Sequence, residues 1–171
     1  ETLSHIQIHH AVPCRVCPPS DLTHHLPPRL PTPHVQLELN RNVHLKTIVD
    51  RLLQISPQLQ IHGHNSKGEL ILQVETEGCS SKTLVQGLQG KPCPEGGGRE
   101  EATCQVDTKK FQACLSYPKT LFSSSQLLCL IENEAVVLHC SSHQLGFCTY
   151  YVPVHFMVPD DDDDGVAGGV Q

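Results

Sequence analysis

The same order of local patterns occurs twice along this chain, and few folds accommodate that. Residues 34–40 (HVQLELN) alternate, with Val35, Leu37 and Leu39 on one face, as a half-buried strand requires. The period then lengthens. Leu45, Ile48, Val49, Leu52 and Leu53 form a helical stripe, with Asn42 as the expected N-cap and Ser56-Pro57 as the stop. Three strand-like stretches follow at 58–63, 69–75 and 80–88, and NSKG at 65–68 has hairpin-turn chemistry. After a loop at 89–101 the order returns. Residues 102–106 read as a strand. Asp107 or Thr108 caps a short helix over 109–117, with Phe111, Cys114 and Leu115 inward and Pro118 at its end. Residues 126–132, 135–141 and 145–157 are three more strands, the first two joined by a tight turn at Asn133 and Glu134. Residues 34–88 and 102–157 are therefore two βαβββ units, similar in pattern and not in residue identity. They predict one α+β domain with antiparallel sheets and both helices on one face.

Several segments stand outside this repeat or interrupt it. Residues 4–16 alternate as a strand, with Pro13 marking an edge or a bulge. Residues 17–33 contain six prolines and are expected to be an extended, semi-stiff connector. Its Leu22, Leu26 and Leu30 either pack back on the domain, the favoured expectation, or form a docking line for a partner. Residues 89–101 (QGKPCPEGGGREE) read as a flexible loop with no core. Residues 158–171, with the run Asp160–Asp164, read as a disordered acidic tail. Because the chain starts at Glu1 and its one methionine is Met157, further residues are expected upstream.

The charge is unevenly placed. The net charge of -6 comes from 18 acids against 12 bases, and the Asp160–Asp164 run supplies five of the acids. The remainder is close to neutral, which argues against a protein that grips nucleic acid by bulk charge. It leaves room for a few bases gathered on one face. Both helices present such bases outward: Lys46 with Arg51, and Lys109 with Lys110, with Arg41 just before the first helix. An ordinary solvated helix face predicts the same residues, and Lys46 with Asp50 has the spacing of an i,i+4 ion pair.

Nine cysteines, an odd number, argue against a closed disulfide framework. Cys129 and Cys140 sit inside apolar runs, and no Asn-X-Ser/Thr glycosylation signal occurs. A reducing compartment is the simplest expectation. Cys14 and Cys17, followed by His24 and His25, are the one metal candidate. A solitary CxxC interrupted by prolines is a weak signal, and no metal or other cofactor is expected. The twelve histidines fall in no nucleophile-elbow or HExxH context, and Gly96–Gly98 is not a phosphate loop, so catalysis is not expected. No run approaches the ~18–20 apolar residues of a membrane-spanning helix. Residues 1–10 have neither the basic start nor the apolar stretch of a secretory signal.

The chain also resembles a known family. HHAVPCRV, HLKTIVDRLLQISPQLQIHGHNSKGELILQVET, CQVDTKKFQACL and LLCLIENEAVVLHC with YYVPVHF are similar to successive stretches of the Hus-type checkpoint clamp subunit, the hydroxyurea-sensitive member of the nine-one-one DNA-damage clamp. The helix–hairpin block is the most specific of these, and the likeness spans about residues 5–156. The resemblance implies the sliding-clamp (PCNA-like) fold. Residues 1–16 would hold the last strand of a preceding clamp domain, 17–33 the interdomain connector and 34–157 the C-terminal clamp domain. It implies a non-catalytic subunit of a 1:1:1 heterotrimeric ring around double-stranded DNA, in checkpoint signalling and repair. Partners would be two other checkpoint clamp subunits, a clamp loader and repair enzymes, with no membrane. The location would be the nucleus, with the cytoplasm as a second place. Arg41, Lys46, Arg51, Lys109 and Lys110 would face phosphates without reading sequence. Ring neighbours would join through edge strands, at 5–16 and 80–88. Two alternatives stay open: a homotrimeric processivity clamp of the replicative type, and a secreted cysteine-rich binding module.

Overall fold

A computed structural model of the chain describes residues 11, 13–21, 26–39, 44–93, 98–116, 125–142 and 146–155. The two repeated units fold onto each other. In chain order the elements are β1 (Val35–Glu38), α1 (Leu45–Leu53), β2 (Gln58–His64), β3 (Glu69–Thr76), β4 (Cys79–Val85), β5 (Gln89–Gly90), β6 (Glu101–Asp107), α2 (Thr108–Cys114), β7 (Ser125–Ile131), β8 (Ala135–Ser142) and β9 (Gly146–Pro153). One sheet has the order β5-β1-β7-β8-β9 and the other β4-β3-β2-β6, with every pairing antiparallel. Each sheet thus mixes strands of both units. β1 of the first unit pairs with β7 of the second, and β2 pairs with β6.

Alternation sets the faces. Leu59 and Ile61 on β2, Leu70, Leu72 and Val74 on β3, and Ala102, Cys104 and Val106 on β6 all point into the core. The opposite face of this sheet carries Gln58, Gln60, Gln73 and Gln105 around a shallow concavity of about 390 Å³. The core is shared by both sheets and both helices: Leu45, Val49 and Leu52 of α1 and Phe111 of α2 join Val35, Leu37, Leu128, Leu130 and Leu138. The sheets approach each other closely at Gly63 on β2. A Cβ there would lie 2.7 Å from Leu130 Cδ1 and 3.0 Å from Val35 Cγ1.

The turns follow the expected chemistry. Gly68 closes the β2–β3 turn at φ 61, with its N–H donating to the Asn65 carbonyl at 3.2 Å. Asn133 turns β7 into β8 at φ 64, tolerable for asparagine. Asp107 is the N-cap of α2, accepting from the Lys110 N–H at 2.8 Å.

Other expectations need correction. The stretch 80–88 is not one strand. β4 ends at Val85, Gly87 turns at φ 75, and the chain crosses to the other sheet as β5. The stretch 89–101 reads as a flexible loop, but its described residues on either side of 94–97 are tied to the five-stranded sheet. Leu88 is buried, and the N–H groups of Lys91 and Arg99 donate to the carbonyls of Gln36 and His34. Lys91 pairs with Glu38, and Arg99 with Glu132, each at 2.7 Å. α2 is shorter than predicted, 108–114 in place of 109–117. His44, with no side-chain cap bond, precedes α1; Asn42 lies outside the described residues. Of the strand expected over 4–16, the described residues 11 and 13–16 form none. The remainder of that stretch and the acidic tail lie outside the described residues.

The connector does pack back at one point. Leu30 and Leu127 cover Cys129, Ile131, Ala135 and Val137, a second apolar cluster on the face of the five-stranded sheet away from the helices. Leu26 is 67% exposed, and Leu22 lies outside the described residues.

Candidate nucleic-acid interface

The two amphipathic helices pack side by side, and specific bonds lock them together. Where α1 ends, Ser56 and Pro57 meet the start of α2. The Thr108 hydroxyl donates to the Ser56 carbonyl at 3.0 Å, and the Thr108 N–H donates to the Pro57 carbonyl at 2.8 Å. Thr108 is fully buried, so these bonds are shielded from water. Further along, Gln112 Nε2 of α2 donates to Asp50 Oδ1 of α1 at 2.8 Å.

Asp50 also accepts from Lys46 Nζ at 2.9 Å. The Lys46 and Gln112 donors hold the Asp50 carboxyl below its ordinary range. The i,i+4 pair suggested by spacing is therefore formed. It changes the charge map, because much of the Lys46 charge is met internally. Gln112 stands off the inward stripe of Phe111, Cys114 and Leu115 that the sequence marks. It is half-buried, and its bond to a residue 62 positions away leaves no local signal.

Arg51, Lys109 and Lys110 are exposed, as expected. Among the described residues no acidic side chain forms an ion pair with any of the three. Arg51 occupies the last turn of α1, where a cation suits the helix dipole. Lys109 and Lys110 occupy the first turn of α2, where the dipole disfavours cations and the capping Asp107 carboxylate offsets part of that cost. Arg41 lies outside the described residues. The arrangement can make a few mobile contacts to a polyanion. It presents no cluster of amides or aromatic rings on these helices for reading bases.

The CxxC candidate gains nothing from the structure. Cys14 and Cys17 are exposed, and His24 and His25 lie outside the described residues. Among the described residues, no group of three or more His, Cys, Asp or Glu side chains is placed to hold a metal ion. No helix among them is long and apolar enough to cross a membrane. No disulfide joins any of the nine cysteines.

The family model described as "Hus1-like protein" matches residues 2–155. The chain belongs to the Hus1-like family. Two curated relatives agree with this, each 32% identical. For the Checkpoint protein Hus1-like of Drosophila melanogaster the match runs over 107 residues, 63% of this chain and 37% of that protein. For the Checkpoint protein hus1 homolog of Dictyostelium discoideum it runs over 133 residues, 74% of this chain and 46% of that protein. This Hus1-like chain thus spans less than half the length of both relatives. Its fold is found in solved sliding-clamp structures. The PCNA2–PCNA3 complex from Sulfolobus tokodaii matches with a TM-score of 0.58 at 14% identity, over 85% of this chain and 53% of that one. PCNA from Thermococcus kodakaraensis matches at 0.57 and 12%, over 76% and 50%. The family resemblance, the clamp fold it implies and the α+β class read from the residues are borne out.

Proposed function

We propose that this chain is the clamp-domain part of a non-catalytic checkpoint clamp subunit, one of three different subunits in a 1:1:1 ring around double-stranded DNA. Residues 34–157 are the clamp domain on this reading, and 17–33 the connector from a preceding one. The protein acts in the nucleus, in damage signalling and repair, and a clamp loader places it on DNA. Family membership together with the PCNA-like fold supports the class of activity.

The observation that carries the DNA-facing assignment is the position of Lys109 and Lys110. In the first turn of α2 they work against the helix by at most a few tenths of a kcal/mol each, because the Asp107 carboxylate caps the same turn. A polyanion opposite this face turns that cost into attraction. Arg51 supports the same surface, and Lys46 contributes less because Asp50 engages it. A ring held by topology needs only such weak contacts, which also suits the near-neutral body. β4 is an edge of the four-stranded sheet, with backbone groups a neighbouring subunit can pair. In the connector, Leu26 remains open to a repair partner, whereas Leu30 is committed to its own sheet.

The test is charge reversal, Lys109→Glu with Lys110→Glu, in the assembled clamp. DNA association should weaken, and the log–log salt slope should shrink by about 1.8, at roughly 0.9 per phosphate contact. Circular dichroism should show the fold intact. Unchanged association and slope would remove both lysines from the DNA face.

A further inference from the structure

The ladder between β8 and β9 sets Cys140 directly opposite Cys148. Opposed residues of an antiparallel pair have Cα atoms about 4.5–5.5 Å apart. That lies within the ~4.4–6.8 Å window of a disulfide. Their side chains also leave the sheet on the same face. Among the described residues no other two cysteines face each other across a ladder. The two sites differ in access. Cys140 is fully buried in the core, whereas Cys148 is partly open to solvent and hydrogen-bonded to Tyr150. A third thiol, Cys114 of α2, packs against the same core.

We propose that Cys140 and Cys148 form an oxidisable thiol pair that closes to a disulfide when the folded chain meets a peroxide. Cys148, the accessible member, reacts first. Its sulfur bonds to one peroxide oxygen as the O–O bond breaks, giving a sulfenic acid and one water. The Cys140 sulfur then attacks the sulfenic sulfur. The S–S bond forms, the S–O bond breaks, and hydroxide leaves with the Cys140 proton as a second water. Two thiols and one hydrogen peroxide thus yield one disulfide and two waters. Burial pushes the Cys140 thiol up to about 11, so it is poorly reactive towards external oxidants and relies on its position opposite Cys148. In a reducing compartment such a bond is transient, which is the usual behaviour of cytosolic and nuclear disulfides. The proposal does not depend on the clamp reading.

The experiment uses the whole 171-residue chain with the exposed thiols removed, as Cys14→Ser, Cys17→Ser and Cys79→Ser. The reduced, folded protein is treated with hydrogen peroxide, alkylated under denaturing conditions and digested for mass spectrometry. A cross-linked peptide joining Cys140 to Cys148 should appear and should vanish on treatment with dithiothreitol. Adding Cys148→Ser should abolish the link while circular dichroism stays native, and adding Cys114→Ser should leave it in place. A link from Cys148 to Cys114, oxidation of Cys148 beyond the sulfenic stage with Cys140 still a thiol, or no loss of thiols would each overturn the proposal.

Discussion

Gly63 is where the packing of the two sheets is most exposed to test. Replacing it with alanine adds one methyl group facing the other sheet. That carbon would stand 2.7 Å from Leu130 Cδ1, 3.0 Å from Val35 Cγ1 and 3.4 Å from Leu37 Cδ1. All three neighbours are fully buried, so Leu130 has little free space into which to retreat. Overpacking of this kind costs about 1–3 kcal/mol. The loss of glycine's freedom in the unfolded chain returns roughly 0.4–1 kcal/mol. Gly63→Ala should therefore destabilise by about 1–2 kcal/mol net, taking overpacking less that entropy gain. At a mid-range urea slope of ~2 kcal/mol per molar, the unfolding midpoint should fall by roughly 0.5–1 M. Gly78→Ala is the internal control. A Cβ at Gly78 meets nothing within 4 Å, so that variant should be neutral or slightly stabilised. Trimming the neighbour, Leu130→Val, should cost less in the Gly63→Ala background than alone, because the two changes share one contact. If Gly63→Ala unfolds at the same urea concentration as Gly78→Ala, the sheets do not meet as described.

Two further substitutions probe the joined helices. Asp50 has its carboxyl held below 3.8 in the folded chain, so its ionised form contributes stability above that value, and the contribution is lost as pH falls through the lowered folded value. Acid melts of Asp50→Asn should therefore be less steep than those of the parent below about pH 4, and the freed Lys46 should tighten DNA association of the assembled clamp. Thr108→Val keeps the shape of a fully buried side chain and removes the donor to the Ser56 carbonyl. Thermal or urea unfolding should show a loss of roughly 1–3 kcal/mol.

The parts of this fold that could be read from the residues are those governed by local periodicity. Leu59, Ile61, Leu70 and Leu72 alternate because one side of their sheet is buried, and the Leu45–Leu52 stripe repeats because one side of its helix is. The Asp107 cap and the turns at Gly68 and Asn133 are also local chemistry, so they were legible too. What escaped depends on distant partners. Nothing near Gly87 says that the chain leaves one sheet there for the other. The composition of 89–101 suggested a free loop, but Glu38 on β1 and Glu132 in the β7–β8 turn hold its basic residues. The Asp50–Gln112 bond likewise joins positions in different repeats. The basic helix faces were visible as spacing, whereas the internal neutralisation of Lys46 was visible only as one of two readings. That Leu30 packs onto the sheet while Leu26 does not depends on where the connector crosses β7 and β8.

The central claim is that this chain belongs to one subunit of a mixed ring. The most direct measurement is the native mass of the full-length protein co-expressed with two other checkpoint clamp subunits. A single assembly with one copy of each is the predicted result. A stable homotrimer of this subunit, formed in preference to the mixed ring, would contradict it and make the replicative type of clamp the better description.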